Sequence, residues 1–276
     1  MLAKTHRPIY NGCMLRNLAL GSLLLFTTGC WVGSLFVKNL DTLISVKVSN
    51  TFDLYYKQKQ QLDEDIDNFL KRKKPLADIA LKKLSEYQKL SSSAELDQKL
   101  IKKELMFWQK FYTEIMLEIV QKHSSYLINL TEKQQKHFFK EYKERTKELK
   151  EKLEEDFLED QTEKYERFFD ELNKDMAKEL ASNEDFFKSR LMAYIERRKE
   201  FRIKLEELYK NKAKDKDFKS LFSKYLEDRF SKTVTVHHAK IIHNLLRKMG
   251  SDQKIALKEN LSKYKTWAKV FKETDY

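Results

Sequence analysis

The near absence of glycine and proline is the feature that most limits how this chain can fold. After Cys30 the sequence contains two glycines, Gly33 and Gly250, and one proline, Pro75. Sheets require tight turns, and such turns rely on glycine, proline and asparagine. Charged residues make up 36% of the chain, a share that suits the solvated faces of helices. The sequence therefore predicts an all-α fold, an elongated bundle of several helices.

The chain is basic, with a formal net charge of +12. Residues 1–29 contain three bases, Lys4, Arg7 and Arg16, and no acid, so a chain that begins at Cys30 keeps a net charge of +9. This excess suits an anionic partner, such as lipid headgroups, an acidic polymer or an acidic protein. The bases alternate with 43 acids, and no stripe of bases with aromatic residues stands out. Nucleic acid is therefore not expected as a partner.

The first thirty residues have the layout of a secretory signal. A basic segment precedes the apolar run Leu18–Thr28, and the small residue Gly29 follows it. At Cys30 the pattern resembles the lipobox of bacterial lipoproteins, in which a peptidase cuts before a cysteine that carries a diacylglycerol. The resemblance implies a signal peptide at 1–29, cleavage between Gly29 and Cys30, and a covalent lipid on Cys30. No other cofactor is expected, and residues 30–276 are predicted to form a single helical periplasmic domain.

Two alternatives remain open for this segment. The stretch from Leu18 to Val37 is 20 residues long and without charge, so it also meets the length of a membrane-spanning helix, about 20 residues. Met14 is a second possible start, which would give a shorter signal. In lipoproteins of Gram-negative bacteria an aspartate after the cysteine favours the inner membrane. Trp31 stands at that position here, so the resemblance implies the periplasmic face of the outer membrane. Two or more acyl chains would make such an anchor effectively permanent.

The spacing of apolar residues divides the rest of the chain into helices. We expect a helix at 76–90, ended by the serines at 91–93, and a loop at 210–217. The strongest core face is predicted for the next helix, and its members are Leu96, Leu100, Phe107, Phe111, Ile115 and Ile119. Residues 132–181 are dense in charge with a narrow apolar stripe, which predicts one or two long, exposed amphipathic helices.

Candidates for catalysis or metal binding are few. His237, His238 and His243 are close in sequence, but His238 and His243 are five residues apart, whereas two ligands on one helix face require a spacing of four. An acidic cluster comprises Glu154, Glu155, Asp156, Glu159 and Asp160. Lysines flank this cluster, so a solvated helix face explains it. The sequence therefore predicts no catalytic residue, no metal site and no enzymatic activity.

Two short segments are candidates for binding. The basic run Lys71, Arg72, Lys73 and Lys74 follows the anchor closely and would gain about 1 kcal/mol per residue at an anionic membrane surface. The alternative is a charged helix end, favoured by the helix dipole.

The second segment is "LTEKQ" at 130–134, where Leu130 precedes the pattern of a capping box. Thr131 can cap the following helix and Gln134 can bond back to it. Looser versions occur as "LYYKQ" at 54–58 and "MGSDQ" at 249–253. A helix cap explains this pattern without any function, and a client-binding motif is the functional alternative.

The order of these segments resembles an uncharacterised family of helical lipoproteins of Gram-negative bacteria. The resemblance rests on Cys30, on residues 38–75 and on residues 130–149, and it implies an envelope location without an assigned activity. Leu130, Thr131 and Gln134 are also similar to the signature of small periplasmic chaperones of the Spy and CpxP type. The expected function is that of a lipid-anchored scaffold or protein-binding module of the envelope. The alternative is a chaperone for unfolded outer-membrane or secreted proteins.

Overall fold

A computed structural model describes residues 30–91, 97–155, 157–228 and 232–276 of the chain. Side chains are described for the same residues except 30–32 and 232–233. The predicted signal segment at 1–29 lies outside the described residues. Within these ranges the secondary structure is helical throughout and contains no strand, so the all-α prediction is confirmed.

Twelve helices occur in the described ranges. They are α1 (Cys30–Lys38), α2 (Leu40–Phe52), α3 (Tyr56–Lys73), α4 (Leu76–Leu90), α5 (Gln98–Ile128), α6 (Glu132–Glu154), α7 (Phe157–Phe169), α8 (Lys174–Ala181), α9 (Glu184–Lys210), α10 (Asp215–Glu227), α11 (Lys232–Arg247) and α12 (Ser251–Glu273). The bounds of α4 agree with the helix predicted at 76–90, and the break between α9 and α10 falls within the predicted loop at 210–217.

Three turns use the left-handed backbone conformation without glycine. Asp53 follows α2 with φ 49°, Asp170 follows α7 with φ 58°, and Lys212 lies between α9 and α10 with φ 49°. An L-residue in this region is disfavoured by roughly 1–2 kcal/mol, although aspartate tolerates it better than most residues. A chain so poor in glycine therefore makes several of its sharp turns at a conformational cost.

A few long helices make most of the contacts between helices. Helix α12 lies against α1, α4 and α7, and α5 lies against α10 and α11. Helix α6 packs on both α2 and α9, and α8 fills the space beside α7 and α11. The N-terminal and C-terminal helices of the described chain are therefore in direct contact.

Three apolar clusters form the core. The largest joins α7, α8, α9, α11 and α12, and its most deeply buried members are Met176, Leu180, Ile241 and Leu245. The second lies between α6, α9 and α10 and contains Phe138, Tyr142, Phe201, Leu205 and Phe218. The third joins α2 and α3 to Tyr276 through Leu62, Ile66 and Leu70. Full burial of one such large apolar side chain contributes about 1.5–3 kcal/mol.

Residues 132–181 differ from the prediction of one or two long exposed helices. The segment is divided into α6, α7 and α8, with breaks near residue 156 and at 170–173. Its apolar stripe is covered by neighbouring helices, since Tyr142, Leu149 and Leu180 are all buried. The high charge marks only the outer face of each helix, because the inner faces are covered: α6 packs on α2 and α9, α7 on α12, and α8 on α11.

The predicted core face of α5 also needs correction. The buried residues of this helix are Ile101, Tyr112, Val120 and Ser124, which lie on the face next to the predicted one. The predicted residues Leu100, Phe107, Phe111, Ile115 and Ile119 are each only partly buried, and Leu96 lies outside the described residues. Because α5 contacts both α10 and α11, its most apolar face does not coincide with its most buried face.

Candidate functional site

Helix α1 begins at Cys30, the residue predicted to carry the lipid, and docks directly on α12. Gly33 is buried there against the indole of Trp267, which is 4% exposed. A Cβ atom added at Gly33 would lie 2.3 Å from the Trp267 ring, far closer than van der Waals contact. The absence of a side chain at this position is therefore what allows the two helices to approach.

A hydrogen bond further along α1 strengthens this contact. The buried hydroxyl of Tyr276 donates to the Val37 carbonyl oxygen at 2.9 Å. The Tyr276 ring also packs against Phe271 of α12, with ring centroids 5.6 Å apart. The first two turns after Cys30 are thus part of the folded body and not a separate tether.

The predicted "LTEKQ" cap forms as expected at the start of α6. Gln134 Oε1 accepts a hydrogen bond from the Thr131 backbone N–H at 3.0 Å, and Thr131 Oγ1 accepts one from the Gln134 N–H at 3.3 Å. Leu130 beside them is buried. The capping prediction for Thr131 and Gln134 is confirmed.

The same glutamine also joins a second helix start. Gln134 is fully buried, and its Nε2 donates to the Asp53 carbonyl oxygen at 2.9 Å and to Gln58 Oε1 at 2.8 Å. Gln58 in turn caps α3, because its Oε1 accepts from the Tyr55 N–H at 3.0 Å. Two of the three related sequence segments therefore meet in space, a relationship that sequence reasoning did not predict.

The third segment repeats this arrangement elsewhere in the fold. Gln253 Oε1 accepts from the Gly250 N–H at 3.1 Å and from Asn173 Nδ2 at 3.3 Å, and Asn173 is the N-cap of α8. Gln253 Nε2 donates to the Glu171 carbonyl oxygen at 2.9 Å. In both places a capping glutamine fastens one helix start to another, which assigns these residues a clear structural role.

The basic run at 71–74 is partly engaged inside the protein. Lys73 bonds to Glu118 of α5, Arg72 Nη2 lies 4.0 Å from the same carboxylate, and Lys74 Nζ lies 3.8 Å from Asp275. Lys73, together with Lys122, lowers the pKa of Glu118 to about 2. Lys71 and Arg72 remain exposed. The run thus links α3 to its neighbours and leaves fewer charges for a membrane surface.

The three close histidines have different environments. His237 stacks on Phe186 with ring centroids 3.9 Å apart, and its Nε2 lies 3.0 Å from Asn183 Oδ1. Arg190 Nη1 lies within 2.8 Å of the ring nitrogens of His238. Burial first, and the Arg190 charge second, lower the pKa of His238 to about 3. The positive charge of the Arg190 guanidinium therefore disfavours the protonated form of the His238 ring.

The described members of the acidic cluster lie at the end of α6 and in the first turn of α7. Glu154, Glu155 and Glu159 are exposed, and Asp160 pairs with Lys152 at 3.1 Å, whereas Asp156 lies outside the described residues. Among the described residues no group of three or more His, Cys, Asp or Glu is arranged to hold a metal ion. Within the same ranges, no helix combines the length and the hydropathy of a membrane span.

An exposed pair of aromatic residues lies beside the joined helix starts. Tyr55 is 48% exposed and Tyr56 is 74% exposed. Gln60 Nε2 donates to the Tyr56 hydroxyl at 3.0 Å. Exposed aromatic rings next to a rigid hydrogen-bonded junction are suited to contact another protein surface.

A basic groove between α6 and α9 was not predicted from the sequence. It has a volume of about 260 Å³ and is named here the cationic groove. Its lining residues are Lys143, Thr146, Lys147, Lys150, Lys199 and Arg202. The sequence nevertheless contains a signal for half of this groove, because the spacing of Lys143, Lys147 and Lys150 places them on one face of α6.

Comparison of this chain with protein-family models, with curated proteins and with solved structures finds no match.

Proposed function

We propose that this chain is a lipid-anchored lipoprotein of the bacterial cell envelope that acts as a scaffold or binding module for other proteins. In this proposal Cys30 carries the lipid, Gly29 is the last residue of the removed signal, and the helical body lies at the periplasmic face of the outer membrane. The proposed role requires no catalytic residue and no cofactor besides the covalent lipid.

The observation that carries the proposal is the docking of α1 on α12. The helix that starts at Cys30 is held by the close approach of Gly33 to Trp267 and by the Tyr276 bond to Val37. A lipid on Cys30 would therefore hold the whole body in a defined position near the membrane. A scaffold benefits from this arrangement, because partners that bind it meet at a fixed distance from the bilayer.

A second candidate function is that of a periplasmic chaperone for unfolded outer-membrane or secreted proteins. It is favoured by the exposed Tyr55 and Tyr56, which lie beside the junction formed by Gln58 and Gln134. Aromatic rings beside a basic surface suit apolar segments of unfolded chains that carry acidic residues.

Two assays separate these functions, the first on the full chain in neutral detergent and the second in intact cells. In the first, light scattering follows aggregation of a chemically unfolded client protein with an equimolar amount of the chain. A chaperone suppresses this aggregation, whereas a scaffold leaves it unchanged. In the second, chemical cross-linking in intact cells is followed by mass spectrometry of the adducts.

The proposal expects discrete adducts with one or a few folded envelope proteins and no suppression of aggregation. Suppression that falls in the variant Tyr55→Ser/Tyr56→Ser would instead support the chaperone. Serine at these two exposed positions preserves the start of α3, because Gln58 caps the backbone N–H of residue 55 and not its side chain. Tyr126 is not suitable for the same test, because its hydroxyl donates a hydrogen bond to Asp65. A chain without adducts and without client binding would contradict both functions.

A further inference from the structure

The cationic groove lies on a longer stripe of lysines along α6. The lysines at 136, 140, 143, 147 and 150 are alternately four and three residues apart, and all five are exposed. This spacing keeps side chains on one face of an α-helix. Lys199 and Arg202 of α9 complete the groove from the opposite side.

The acids around the groove do not balance its bases. Lys143 and Arg202 share the carboxylate of Glu206, at 3.9 Å and 2.7 Å. Lys147 pairs with Glu151 at 3.4 Å, and Lys199 pairs with Glu196 on its own helix. The pairs Lys143–Glu206, Lys147–Glu151 and Lys199–Glu196 are exposed to solvent, so each is weak, about 0–1 kcal/mol, and is easily exchanged for another anion. The Arg202–Glu206 pair is only partly exposed, and Arg202 Nη1 donates to both Glu206 oxygens, at 2.7 Å and 2.8 Å, so this pair is held more firmly.

A buried arginine adds positive charge beneath the groove. Arg198 is 5% exposed and lies on the face of α9 that packs against α6. Its Nε donates to Thr146 Oγ1 at 3.2 Å and its Nη2 donates to the Tyr142 carbonyl oxygen at 3.3 Å. Its guanidinium carbon also lies 3.9 Å from the centre of the Tyr142 ring. These partners are a hydroxyl, a carbonyl and a ring, so they satisfy the hydrogen bonds of Arg198 without cancelling its charge.

The charge of Arg198 is retained despite burial. Burial opposes the charged form, but the phenols of Tyr142 and Tyr194 hold the pKa of Arg198 above its ordinary value. Thr146 links this charge to the groove, because it accepts the bond from Arg198 and also lines the groove. With Arg198 included, six positive groups are offset by the three carboxylates of Glu151, Glu196 and Glu206, which leaves an excess of three.

The composition of the groove indicates the kind of anion that fits it. Its lining residues are four lysines, one arginine and one threonine, a set that provides charge and hydrogen-bond donors. Binding of a peptide side chain or a base usually relies on apolar or aromatic walls. Lysine and arginine without such walls suit an anion that carries several charges on a small volume, as a phosphate does.

We propose that the cationic groove binds the phosphate group of a compact anionic ligand, either a lipid headgroup or a free phosphate compound. This proposal goes beyond the scaffold function and does not depend on a lipid at Cys30. The groove would hold the phosphate between Lys147 and Lys150 of α6 and Arg202 of α9, with Arg198 below providing additional positive potential.

The test is a titration of the full chain in neutral detergent, followed by ³¹P NMR and calorimetry. One arm uses inorganic pyrophosphate, and a second uses short-chain phosphatidylglycerol with phosphatidylcholine as its zwitterionic control. A third arm uses polyglutamate. The groove variant is Lys147→Glu/Lys150→Glu, and the matched control is Lys254→Glu/Lys258→Glu, an equal charge reversal at exposed positions of α12. Because all these side chains are exposed, circular dichroism is expected to show unchanged helicity.

The proposal expects saturable binding of pyrophosphate, of phosphatidylglycerol, or of both, with at least about a tenfold loss in the groove variant and less than about a twofold change in the control. Binding of the lipid without pyrophosphate assigns the ligand to a headgroup, and binding of both assigns it to any accessible phosphate. The proposal is overturned if neither phosphate binds, if the groove variant binds as well as the parent, or if polyglutamate binds as tightly as the phosphates. A failure here leaves the lipoprotein proposal intact, since no lipid on Cys30 is measured.

Discussion

Gln134 Nε2 donates a hydrogen bond to Gln58 Oε1 at 2.8 Å, and this bond joins the first turns of α6 and α3. Each glutamine also caps its own helix through its Oε1 atom. The fully buried side-chain amide of Gln134 therefore accepts a hydrogen bond from the Thr131 N–H and donates two, to the Asp53 carbonyl oxygen and to Gln58 Oε1. The junction depends on an amide side chain, because only asparagine and glutamine offer an acceptor oxygen and two N–H donors on one group, and asparagine is shorter by one methylene.

Loss of this amide is expected to be costly. The variant Gln134→Ala should lower the free energy of unfolding by about 3 kcal/mol, because it removes several hydrogen bonds and takes away the side-chain partner of the Asp53 carbonyl and of the Thr131 N–H. Urea unfolding followed by circular dichroism measures the change. Gln121→Ala, at an exposed position of α5, is the matched control and should change stability by less than about 0.5 kcal/mol. Equal stability of the two variants would show that the junction contributes little.

The close approach at Gly33 gives a second prediction. Gly33→Ala places a methyl group 2.3 Å from the Trp267 ring, so α1 must move away from α12. We expect increased solvent exposure of Trp267, measured as a red shift of its fluorescence and faster hydrogen exchange in α1. The control Gly250→Ala places its Cβ 3.0 Å from the flexible side chain of Gln253 and should leave α1 protected. Unchanged exchange in α1 of Gly33→Ala would contradict the docking.

Stability is expected to depend on pH through His238. Its pKa is about 3 in the folded chain, below the ordinary value of 6.5, so below pH 6.5 the unfolded chain binds a proton that the folded chain does not. Stability is therefore full above pH 6.5 and falls as the pH drops, by about 2 kcal/mol between pH 7 and pH 5 from this group.

Urea unfolding of variants at pH 7 and pH 5 tests this dependence. His238→Gln carries no titratable ring and should lose about 2 kcal/mol less than the parent over this interval. His243→Gln leaves His238 in place and should keep the slope of the parent. A parent and a His238→Gln variant with the same pH dependence would contradict a buried neutral His238.

Lys212 provides a prediction about turn conformation. Its φ of 49° is a left-handed conformation that glycine adopts without strain, so Lys212→Gly should raise the free energy of unfolding by about 0.5–1 kcal/mol. Lys210→Gly, at the last residue of α9, should instead lower it, because glycine disfavours helix by about 1 kcal/mol. Thermal or urea unfolding distinguishes the two variants, and destabilisation by both would argue against the left-handed turn.

Part of this fold can be predicted from local sequence. Scarce glycine and proline predict helices, and Pro75 together with the serines after residue 90 marks the ends of α4. The cap formed by Thr131 and Gln134 is also local, because both partners are three residues apart. Such features depend on spacing within a single helix turn, and a sequence contains that spacing directly.

The relationships between helices could not be predicted in this way. The sequence contains Gln58 and Gln134 as similar caps, but their hydrogen bond depends on how α2 packs on α3 and α6. The lysines of α6 alternate with acids along the chain, which hides their position on one face. Arg198 lies three residues from Ile195 and from Phe201, so the spacing places it on the apolar face of α9. Its contacts with Tyr142 and Thr146, however, follow from the packing of α9 on α6, which the sequence does not contain.

The mass of the N-terminal peptide of the membrane-extracted protein tests the central claim most directly. We expect a mature chain that begins at Cys30 and carries covalent acyl chains, and a Cys30→Ser variant that keeps residues 1–29 and remains unacylated. A peptide from the parent that still contains Leu18–Thr28 and carries no lipid would contradict the account, because the uncharged segment would then be a spanning helix rather than a removed signal.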